Sequence, residues 1–271
     1  MIVKEIISKN AITKSKLPVA DYVVNAYIGC PHKCIYCYAE FMRRFTNHYE
    51  EWGDFIDIKI FDKIKIPKDI ENKSITISSV TDPYNNYEIK YKKTRQVLEA
   101  LKDTGCNTGI LTKSKNVHRD IQLFKQLKNI EVGVSLNTVD DSFRKLIEPA
   151  AGAVEERIGV LKTLREQGIK NWLFMSPIFP FLSDYKKIIE RTKDFVDYYG
   201  FENLNLRAGY KFRVLALIEQ KYNHLYKHYK DIYIKGNAAF WSLLEKEIIS
   251  YCEDNNIEYR MYFYHEKIKK Q

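Results

Sequence analysis

The sequence predicts an α/β fold, a partial (β/α)6 TIM-like barrel with a small C-terminal helical extension. Short runs rich in β-branched and aromatic residues alternate with amphipathic runs of helical length. Six such units occur rather than eight, which favours an open barrel over a closed one. No Gly-, Ser- or Pro-rich linker divides the chain, so we expect residues 1–210 to form the barrel and residues 211–271 an extension packed on it.

The predicted strands and helices alternate along the chain, which is typical of parallel strands joined by crossover helices. The six strands are YVVNAYI (22–28), SITISSV (74–80), NTGILT (107–112), EVGVSL (131–136), NWLFMSP (171–177) and ENLNLR (202–207). The helices between them are predicted at 90–104, 116–128, 140–148, 153–168 and 184–199. Residues 54–66 alternate like an exposed strand inserted after the first unit, and residues 211–271 contain two Tyr-rich helices and a final strand, IEYRMYFY.

Polar side chains occur at the carboxyl ends of these strands, which is the edge where parallel α/β folds place their chemistry. Each residue alone is unremarkable, but their shared position predicts an active-site rim. The cysteine-containing loop comes after the first strand and forms part of this rim. The other members of the rim are Ser78, Ser79, Thr81, Asp82, Lys113, Ser135, Ser176, Pro177 and Arg207.

The strongest chemical signal is the segment GCPHKCIYCYAE (29–40), which holds three of the five cysteines of the chain. Cys30, Cys34 and Cys37 have the spacing C-x3-C-x2-C, and Gly29 and Pro31 favour a sharp turn at its start. Three thiolates can hold three irons of a [4Fe–4S] cluster and leave the fourth iron open to a substrate or cofactor. The motif therefore favours a cluster with one open coordination site.

The alternative is a zinc site, which requires four nitrogen or sulfur ligands. His32 or His48 could supply the fourth, but the sequence has no second C-x2-C pair. Free surface thiols are a further alternative. Of the remaining cysteines, Cys106 precedes the third strand and Cys252 lies in the last helix, so both are expected to be packing residues.

The cysteine motif, with the aromatic Tyr36 before its last cysteine and the first strand of a β/α array before it, resembles that of the radical SAM superfamily. In that superfamily the open iron binds the amino and carboxylate groups of S-adenosylmethionine. An electron from the reduced cluster cleaves the sulfonium, and the resulting 5′-deoxyadenosyl radical abstracts hydrogen from the substrate. The resemblance implies a barrel of the radical SAM type, a [4Fe–4S] cluster, S-adenosylmethionine and a reducing electron donor such as flavodoxin or ferredoxin.

Further segments resemble spore photoproduct lyase and DNA repair photolyase-like proteins over residues 10–208. They occur in the same order and are YIGCPHKCIYCYA, SSVTDPYNNYE, LTKS, VSLNT, IEPAA and MSPIFP. The resemblance implies that Cys30, Cys34 and Cys37 ligate the cluster, that Tyr36 lies beside the adenine, and that Thr81, Lys113 and Ser135 contact the methionyl end of the cofactor. An ammonium at Lys113 can pair with the cofactor carboxylate, although a solvated strand-end lysine is the alternative. Ser79 and Ser135 could equally be turn or capping residues.

Two departures from the lyase pattern bear on the reaction. SSVTD occupies the place of the common Gly-Gly-Glu after the second strand, and Ser79 stands where the lyase has the cysteine that returns hydrogen to the product radical. A serine O–H bond is too strong to donate a hydrogen atom efficiently. Tyr38, beside Cys37, is therefore the candidate for hydrogen return, and Tyr38 and Ser79 are the two candidate catalytic residues.

The basic residues allow a polyanionic partner. The net charge is +9, although the lysines are scattered along the chain. Arg43 and Arg44 lie among aromatic residues, as at nucleic-acid sites, but the i, i+4 spacing of Phe41 and Phe45 favours a helix that buries both rings in the core. Arg207 and Arg213 suit either the substrate cavity or structural ion pairs.

The predicted function is therefore a radical SAM enzyme that abstracts hydrogen from a nucleic-acid substrate, DNA or RNA, in a repair, lyase or base-modification reaction. A peptide or small-molecule substrate is the alternative, and a metal-stabilised nucleic-acid-binding protein without turnover is the alternative of another class. The charged start MIVKEIISKNAITKSK and the lack of an apolar run of about 18–20 residues predict a cytoplasmic protein that does not enter a membrane. The sequence does not indicate an oligomeric state.

Overall fold

The structure is a computed structural model that describes residues 1–263. The strands β1 to β11 are, in order, Ile2–Ile7, Ile12–Lys14, Tyr22–Val24, Tyr27–Ile28, Phe55–Ile60, Ser74–Ile77, Asn107–Thr112, Asn129–Ser135, Lys170–Ile178, Tyr198–Asn203 and Tyr259–Met261. The helices α1 to α9 are Glu88–Tyr91, Lys93–Leu101, Ile121–Phe124, Asp141–Ile147, Val154–Glu166, Tyr185–Thr192, Ala208–Lys221, Asn223–Tyr233 and Ala239–Asp254. Two 3₁₀-helices cover Tyr38–Phe45 and Lys115–Asp120.

The main sheet has the strand order β11-β10-β9-β8-β7-β6-β3-β2. All neighbours from β3 to β11 are parallel, and only the edge strand β2 is antiparallel to its neighbour. Because the parallel strands are connected through helices, their carboxyl ends lie along one edge. The predicted α/β fold of the radical SAM type is confirmed, and the carboxyl edge of the sheet gathers the rim residues.

The helices pack on the sheet through apolar stripes, as α5 illustrates. Val154, Ile158 and Leu161 are buried at helical spacing and belong to the core cluster that includes the strand residues. Asp140 caps the preceding helix α4 by accepting hydrogen bonds from the main-chain N–H groups of Ser142 and Phe143. This cap sets where α4 begins, and α4 ends beside the cysteine loop, where it delivers a buried carboxylate to the site.

The prediction of an exposed strand over residues 54–66 is wrong. Strand β5 is the central strand of a second, three-stranded sheet with the order β1-β5-β4, and Phe55, Ile56 and Ile58 are fully buried. The first predicted strand, residues 22–28, is divided between the two sheets as β3 and β4. The first four residues of β5 are all buried, so its alternating pattern does not leave one face in water.

The sixth strand is displaced from its predicted position at residues 202–207. It is β10, whose Tyr198, Tyr199 and Phe201 are buried between β9 and β11, and α6 ends at Thr192 rather than continuing to residue 199. The prediction of two Tyr-rich helices after residue 210 is wrong in number. Three helices, α7, α8 and α9, cover residues 208–254, and Tyr222 departs from the helical conformation between α7 and α8.

The predicted boundary at residue 210 falls within α7 and stays a prediction. The last residue of the predicted final strand, and the rest of the extension to residue 271, lie outside the described residues. None of the helices within residues 1–263 is both long enough and apolar enough to cross a membrane.

Candidate active site

The cysteine loop leaves β4 through a turn that requires glycine. Gly29 has a φ of +90°, and a Cβ added there would overlap the main-chain carbonyl oxygen of Phe55. Cys30, Cys34 and Cys37 follow on this loop as free, partly exposed thiols. The Thr81 hydroxyl donates to the carbonyl oxygen of Gly29 at 2.6 Å, which ties the loop to the segment after β6. The three predicted metal ligands therefore lie on one loop beside the rim.

The sulfur atoms lie in a poorly solvated environment. Burial, reinforced by the neighbouring Cys37, raises the pKa of Cys30 to about 12, and burial also raises the pKa values of Cys34 and Cys37. A thiolate here needs a nearby positive charge, and a metal that binds thiolates supplies one. Trp52 Nε1 is buried and has no hydrogen-bond partner among residues 1–263, and it lies close enough to Cys37 for its N–H to oppose the rise that burial causes in the Cys37 pKa. An N–H near a ligand sulfur suits an iron–sulfur site.

A fully buried carboxylate, Glu148, joins several rim residues at the end of α4. Arg157 Nη2 donates to Glu148 Oε2 at 2.5 Å, and both side chains have no exposed surface. The Tyr36 hydroxyl donates to Glu148 Oε1, and Lys113 Nζ lies 3.9 Å from the same oxygen. Burial alone would raise the pKa of Glu148, but Arg157 and Lys113 together hold it below the ordinary value. Glu148 is therefore an ionised carboxylate that bridges two cations.

Lys113 projects between this carboxylate and the cysteine loop. Its main-chain N–H donates to Asp82 Oδ2 at 2.7 Å, and Asp82 also accepts from the Thr112 hydroxyl. Burial opposes the charge of Lys113, but the carboxylate of Glu148 outweighs it, and the pKa of the amine is raised. The side chain keeps 19% of its surface exposed. The result is an ammonium held at the rim and still within reach of a ligand.

The two candidate catalytic residues are brought together at the rim. The Tyr38 hydroxyl donates to the main-chain carbonyl oxygen of Ser79, and Tyr38 remains 58% exposed. The Ser79 N–H donates to Asn25 Oδ1 at 2.9 Å, so the Asn25 side chain fixes the turn after β6. The contact joins the loop after Cys37 to this turn.

Ser135 lies in a different setting from Lys113. It is 1% exposed, its hydroxyl donates to the carbonyl oxygen of Ser176 at 3.3 Å, and its own carbonyl oxygen accepts from Arg157 Nη1 at 3.0 Å. The Ser176 hydroxyl in turn donates to the carboxylate of Glu202 at the end of β10. These contacts link the ends of β8, β9 and β10.

The histidines considered as zinc ligands are engaged elsewhere. His32 Nδ1 lies 3.5 Å from Asp82 Oδ2, and the two ring nitrogens of His48 lie 2.9 and 2.8 Å from carboxylate oxygens of Glu50 and Asp57. Among residues 1–263, no three His, Cys, Asp or Glu side chains are grouped as a single metal ion requires. The other two cysteines, Cys106 and Cys252, are buried as packing residues.

The prediction that Phe41 and Phe45 pack into the core is wrong. They are 42% and 65% exposed, because residues 38–45 form a 3₁₀-helix with three residues per turn, in which positions i and i+4 do not share a face. Arg213 forms a structural ion pair with Glu40 of this helix at 2.5 Å, whereas Arg207 is exposed and donates to Asn205.

Sequence reasoning missed Glu148 as a site residue, although it lies in the IEPAA segment, and missed Arg157 entirely. A charged residue at a core position of the apolar face of α5 was the available signal for Arg157.

A sequence profile described as the radical SAM superfamily matches residues 24–196. The chain belongs to the radical SAM superfamily. Radical SAM enzymes use a [4Fe–4S] cluster and S-adenosylmethionine and require a reductant, and this chain is an enzyme of that kind. The predicted superfamily and cofactors are confirmed.

The relatives are similar over different shares of the chain. An uncharacterized protein of Methanocaldococcus jannaschii is 43% identical over 245 residues, which cover 89% of this chain and 90% of the relative. The radical SAM Nalpha-GlyT isomerase of Pseudomonas phage M6 is 29% identical over 117 residues, which cover 42% of this chain and 24% of the relative.

Two solved structures share the fold. Spore photoproduct lyase complexed with dinucleoside spore photoproduct superposes with a TM-score of 0.58 at 14% identity, over 81% of this chain and 66% of the lyase. SuiB of Streptococcus suis bound to S-adenosylmethionine superposes with a TM-score of 0.54 at 19% identity, over 89% of this chain and 49% of SuiB. The chain thus spans about two thirds of the lyase and half of SuiB, and these likenesses concern the fold alone.

The residues present fit the cofactors of the superfamily. Three thiols on one loop suit a cluster with one iron left open. The Lys113 ammonium lies beside Cys34, where it can meet a carboxylate bound at that iron. Asn137 Oδ1, next to Tyr36, is buried and has no hydrogen-bond partner among residues 1–263, which leaves a polar atom for a bound ligand.

Proposed function

We propose that this enzyme cleaves S-adenosylmethionine reductively and abstracts hydrogen from a nucleic-acid substrate, in a repair or base-modification reaction. The observation that carries the first half of the proposal is the Lys113 ammonium, held by Glu148 at the rim beside the cysteine loop. Arg157 is the nearer partner of Glu148, at 2.5 Å against 3.9 Å for Lys113, so the Lys113 ammonium can meet a second anion.

In this proposal Cys30, Cys34 and Cys37 hold the cluster. When bound, the cluster supplies the electron that breaks the sulfonium bond of S-adenosylmethionine. Lys113 pairs with the carboxylate of the cofactor and orients its methionyl end. Because the Thr81 hydroxyl is already committed to Gly29, its role is to hold the loop in place.

The buried network around Glu148 positions these groups. Arg157 donates to one oxygen of Glu148 and to the Ser135 carbonyl oxygen, so it ties the end of β8 to the end of α4. The other Glu148 oxygen accepts from Tyr36, which keeps that ring at the rim for the adenine. Because these contacts already hold the side chains in place, little conformational entropy is lost when the cofactor binds.

Tyr38 is the proposed hydrogen-return residue, and Ser79 positions it. The exposed phenol of Tyr38 is next to Cys37 in the chain and is fixed by the Ser79 carbonyl oxygen. A serine hydroxyl cannot act as an efficient hydrogen-atom donor, so the side chain of Ser79 is assigned to the turn with Asn25 rather than to the chemistry.

Two facts support the nucleic-acid substrate. The chain has a net charge of +9, which suits a polyanion. The lyase that shares this fold was solved with a dinucleoside spore photoproduct. The proposed reductant is a flavodoxin or ferredoxin.

The test is anaerobic reconstitution followed by reduction with dithionite. The protein is expected to bind about four irons, turn brown, and release 5′-deoxyadenosine from S-adenosylmethionine, whereas Cys34→Ala releases none. Release is then compared with ultraviolet-damaged DNA, RNA and peptide. A colourless protein with one zinc and no release would favour a nucleic-acid binder without turnover. If peptide and not nucleic acid changes the rate, the substrate assignment is wrong.

A further inference from the structure

An exposed group of aromatic side chains lies directly beyond the cysteine loop. Tyr38, Phe41 and Phe45 of the 3₁₀-helix are 58%, 42% and 65% exposed. Arg44 lies among them, and we call these four residues the aromatic patch. Contiguous exposed apolar side chains mark interaction sites, whereas apolar residues exposed singly do not.

Contacts between neighbouring side chains join the patch, and Arg44 connects Phe41 with Phe45, which do not share a face of the helix. The Tyr38 and Phe41 rings are nearly parallel, with centroids 6.5 Å apart and an angle of 25°. The Arg44 guanidinium lies 5.5 Å from the Phe41 centroid and 4.7 Å from the Phe45 centroid. Flat rings with a cation between them are the chemistry that binds unpaired bases by stacking and the adjoining phosphates by charge.

Rigid contacts hold the patch in place. Arg213 of α7 donates to Glu40 at 2.5 Å and to the Ile35 carbonyl oxygen at 3.3 Å, so the 3₁₀-helix is tied to α7. Beyond the C-terminal end of the 3₁₀-helix, His48 Nδ1 lies 2.9 Å from Glu50 Oε2. The ion pair with Arg213 also offsets the charge of Glu40, the acidic residue of this 3₁₀-helix. Within the helix this leaves the positive charges of Arg43 and Arg44.

The patch is continuous with the rim. Tyr38 belongs to both, because its ring stacks on Phe41 and its hydroxyl donates to Ser79 at the strand edge. A strand that stacks along Phe45 and Phe41 therefore reaches Tyr38 and the rim next. Enzymes that act on a base must present it outside the duplex, and an unpaired strand meets that need without the cost of unstacking.

We propose that the aromatic patch is a stacking platform for a single-stranded segment of nucleic acid, which leads its target nucleotide into the rim. The chemistry at the rim rests on the proposed function, but binding at the platform does not require turnover. Charge complementarity favours this occupant, since the patch contains Arg44, lies next to Arg43, and belongs to a chain of net charge +9.

The test measures binding of a fluorescent oligothymidylate of about 12 nucleotides to the reconstituted enzyme by anisotropy. Phe45→Ala is expected to weaken binding about 5- to 150-fold, the range for loss of one base–aromatic stack. Arg44→Lys keeps the charge and loses the planar group, so it should weaken binding less than Arg44→Ala does. The controls are Leu243→Ala, an equally exposed apolar side chain on α9, and Arg191→Ala on α6, and both should bind as the wild type does.

Iron content and circular dichroism confirm that each variant is folded. Equal binding by the wild type, Phe45→Ala and Arg44→Ala would overturn the proposal, and so would a wild type that binds no oligonucleotide. Variants that bind DNA normally but are reduced more slowly by flavodoxin would show a docking surface for the reductant instead. If the wild type releases no 5′-deoxyadenosine yet binding depends on Phe45, the proposed function fails and the platform stands.

Discussion

Replacing Lys113 by alanine should separate cofactor binding from cluster binding. The substitution removes an ammonium that lies 3.9 Å from Glu148 and beside Cys34, without touching a sulfur ligand. Glu148 keeps its 2.5 Å contact with Arg157, so no buried charge is left unpaired and the fold should survive. The variant is therefore expected to retain its iron.

The affinity for S-adenosylmethionine should fall. A hydrogen bond to a charged group contributes about 1.5–3 kcal/mol, which corresponds to a Kd raised about 10- to 150-fold. The measurement is equilibrium binding of S-adenosylmethionine to the reconstituted protein. Lys115→Ala is the matched control, because Lys115 lies two residues further on, is 59% exposed and pairs with Glu156. Equal affinity in the wild type and Lys113→Ala, with iron retained in both, would remove Lys113 from the cofactor site.

Three further predictions address the loop and its support. Trp52→Phe should lower the reduction potential of the cluster by about 20–65 mV in protein-film voltammetry, because a lost N–H···S contact of about 0.5–1.5 kcal/mol no longer stabilises the reduced form. Gly29→Ala should prevent iron incorporation, measured by iron content, since its Cβ meets the Phe55 carbonyl oxygen. Asp141→Asn should lower the free energy of unfolding in urea by about 0.5–1 kcal/mol at pH 7. This difference should vanish progressively below about pH 5, because Arg144 holds the pKa of Asp141 well below its usual value and the stabilisation is lost as that carboxylate is protonated.

Each of these three predictions has a result that would contradict it. An unchanged potential in Trp52→Phe means that the indole does not interact with the cluster, and Trp172→Phe is the control. Full iron loading of Gly29→Ala would show that the loop can shift away from β5. If the difference in free energy of unfolding between the wild type and Asp141→Asn grows as the pH falls, the predicted direction of the pH dependence is wrong.

The sequence predicted the parts of the fold in which local pattern and tertiary environment agree. Strands β6, β7 and β8 are rich in β-branched residues, β9 contains large apolar side chains such as Leu173 and Met175, and all four strands contribute buried side chains to the core, so burial reinforces propensity. At β10 the two disagree. Its start, Tyr198–Gly200, lacks β-branched residues, and Gly200 is placed where a Cβ would collide with Phe174 of β9. That close approach is visible only after the strands are paired.

The same reasoning explains which site residues could be predicted. Cys30, Cys34 and Cys37 are close in sequence because one loop presents all three sulfur atoms. Their spacing alone therefore predicts the cluster site. Glu148 and Arg157 meet only because α4 ends where α5 packs on β8, and nothing in a pattern of single residues records that meeting.

The buried ion pair at the site does not obviously benefit stability. Removing two charges from water costs about as much as their attraction returns, so an apolar pair of similar volume would often serve the fold as well. What an apolar pair could not do is orient other polar groups. Glu148 accepts from Tyr36 and lies near Lys113, while Arg157 donates to the Ser135 carbonyl oxygen, so one pair sets the positions of three residues that the resemblance assigns to the cofactor. Because these three come from the cysteine loop, the end of β7 and the end of β8, we infer that the pair is retained to assemble the cofactor pocket from separate elements.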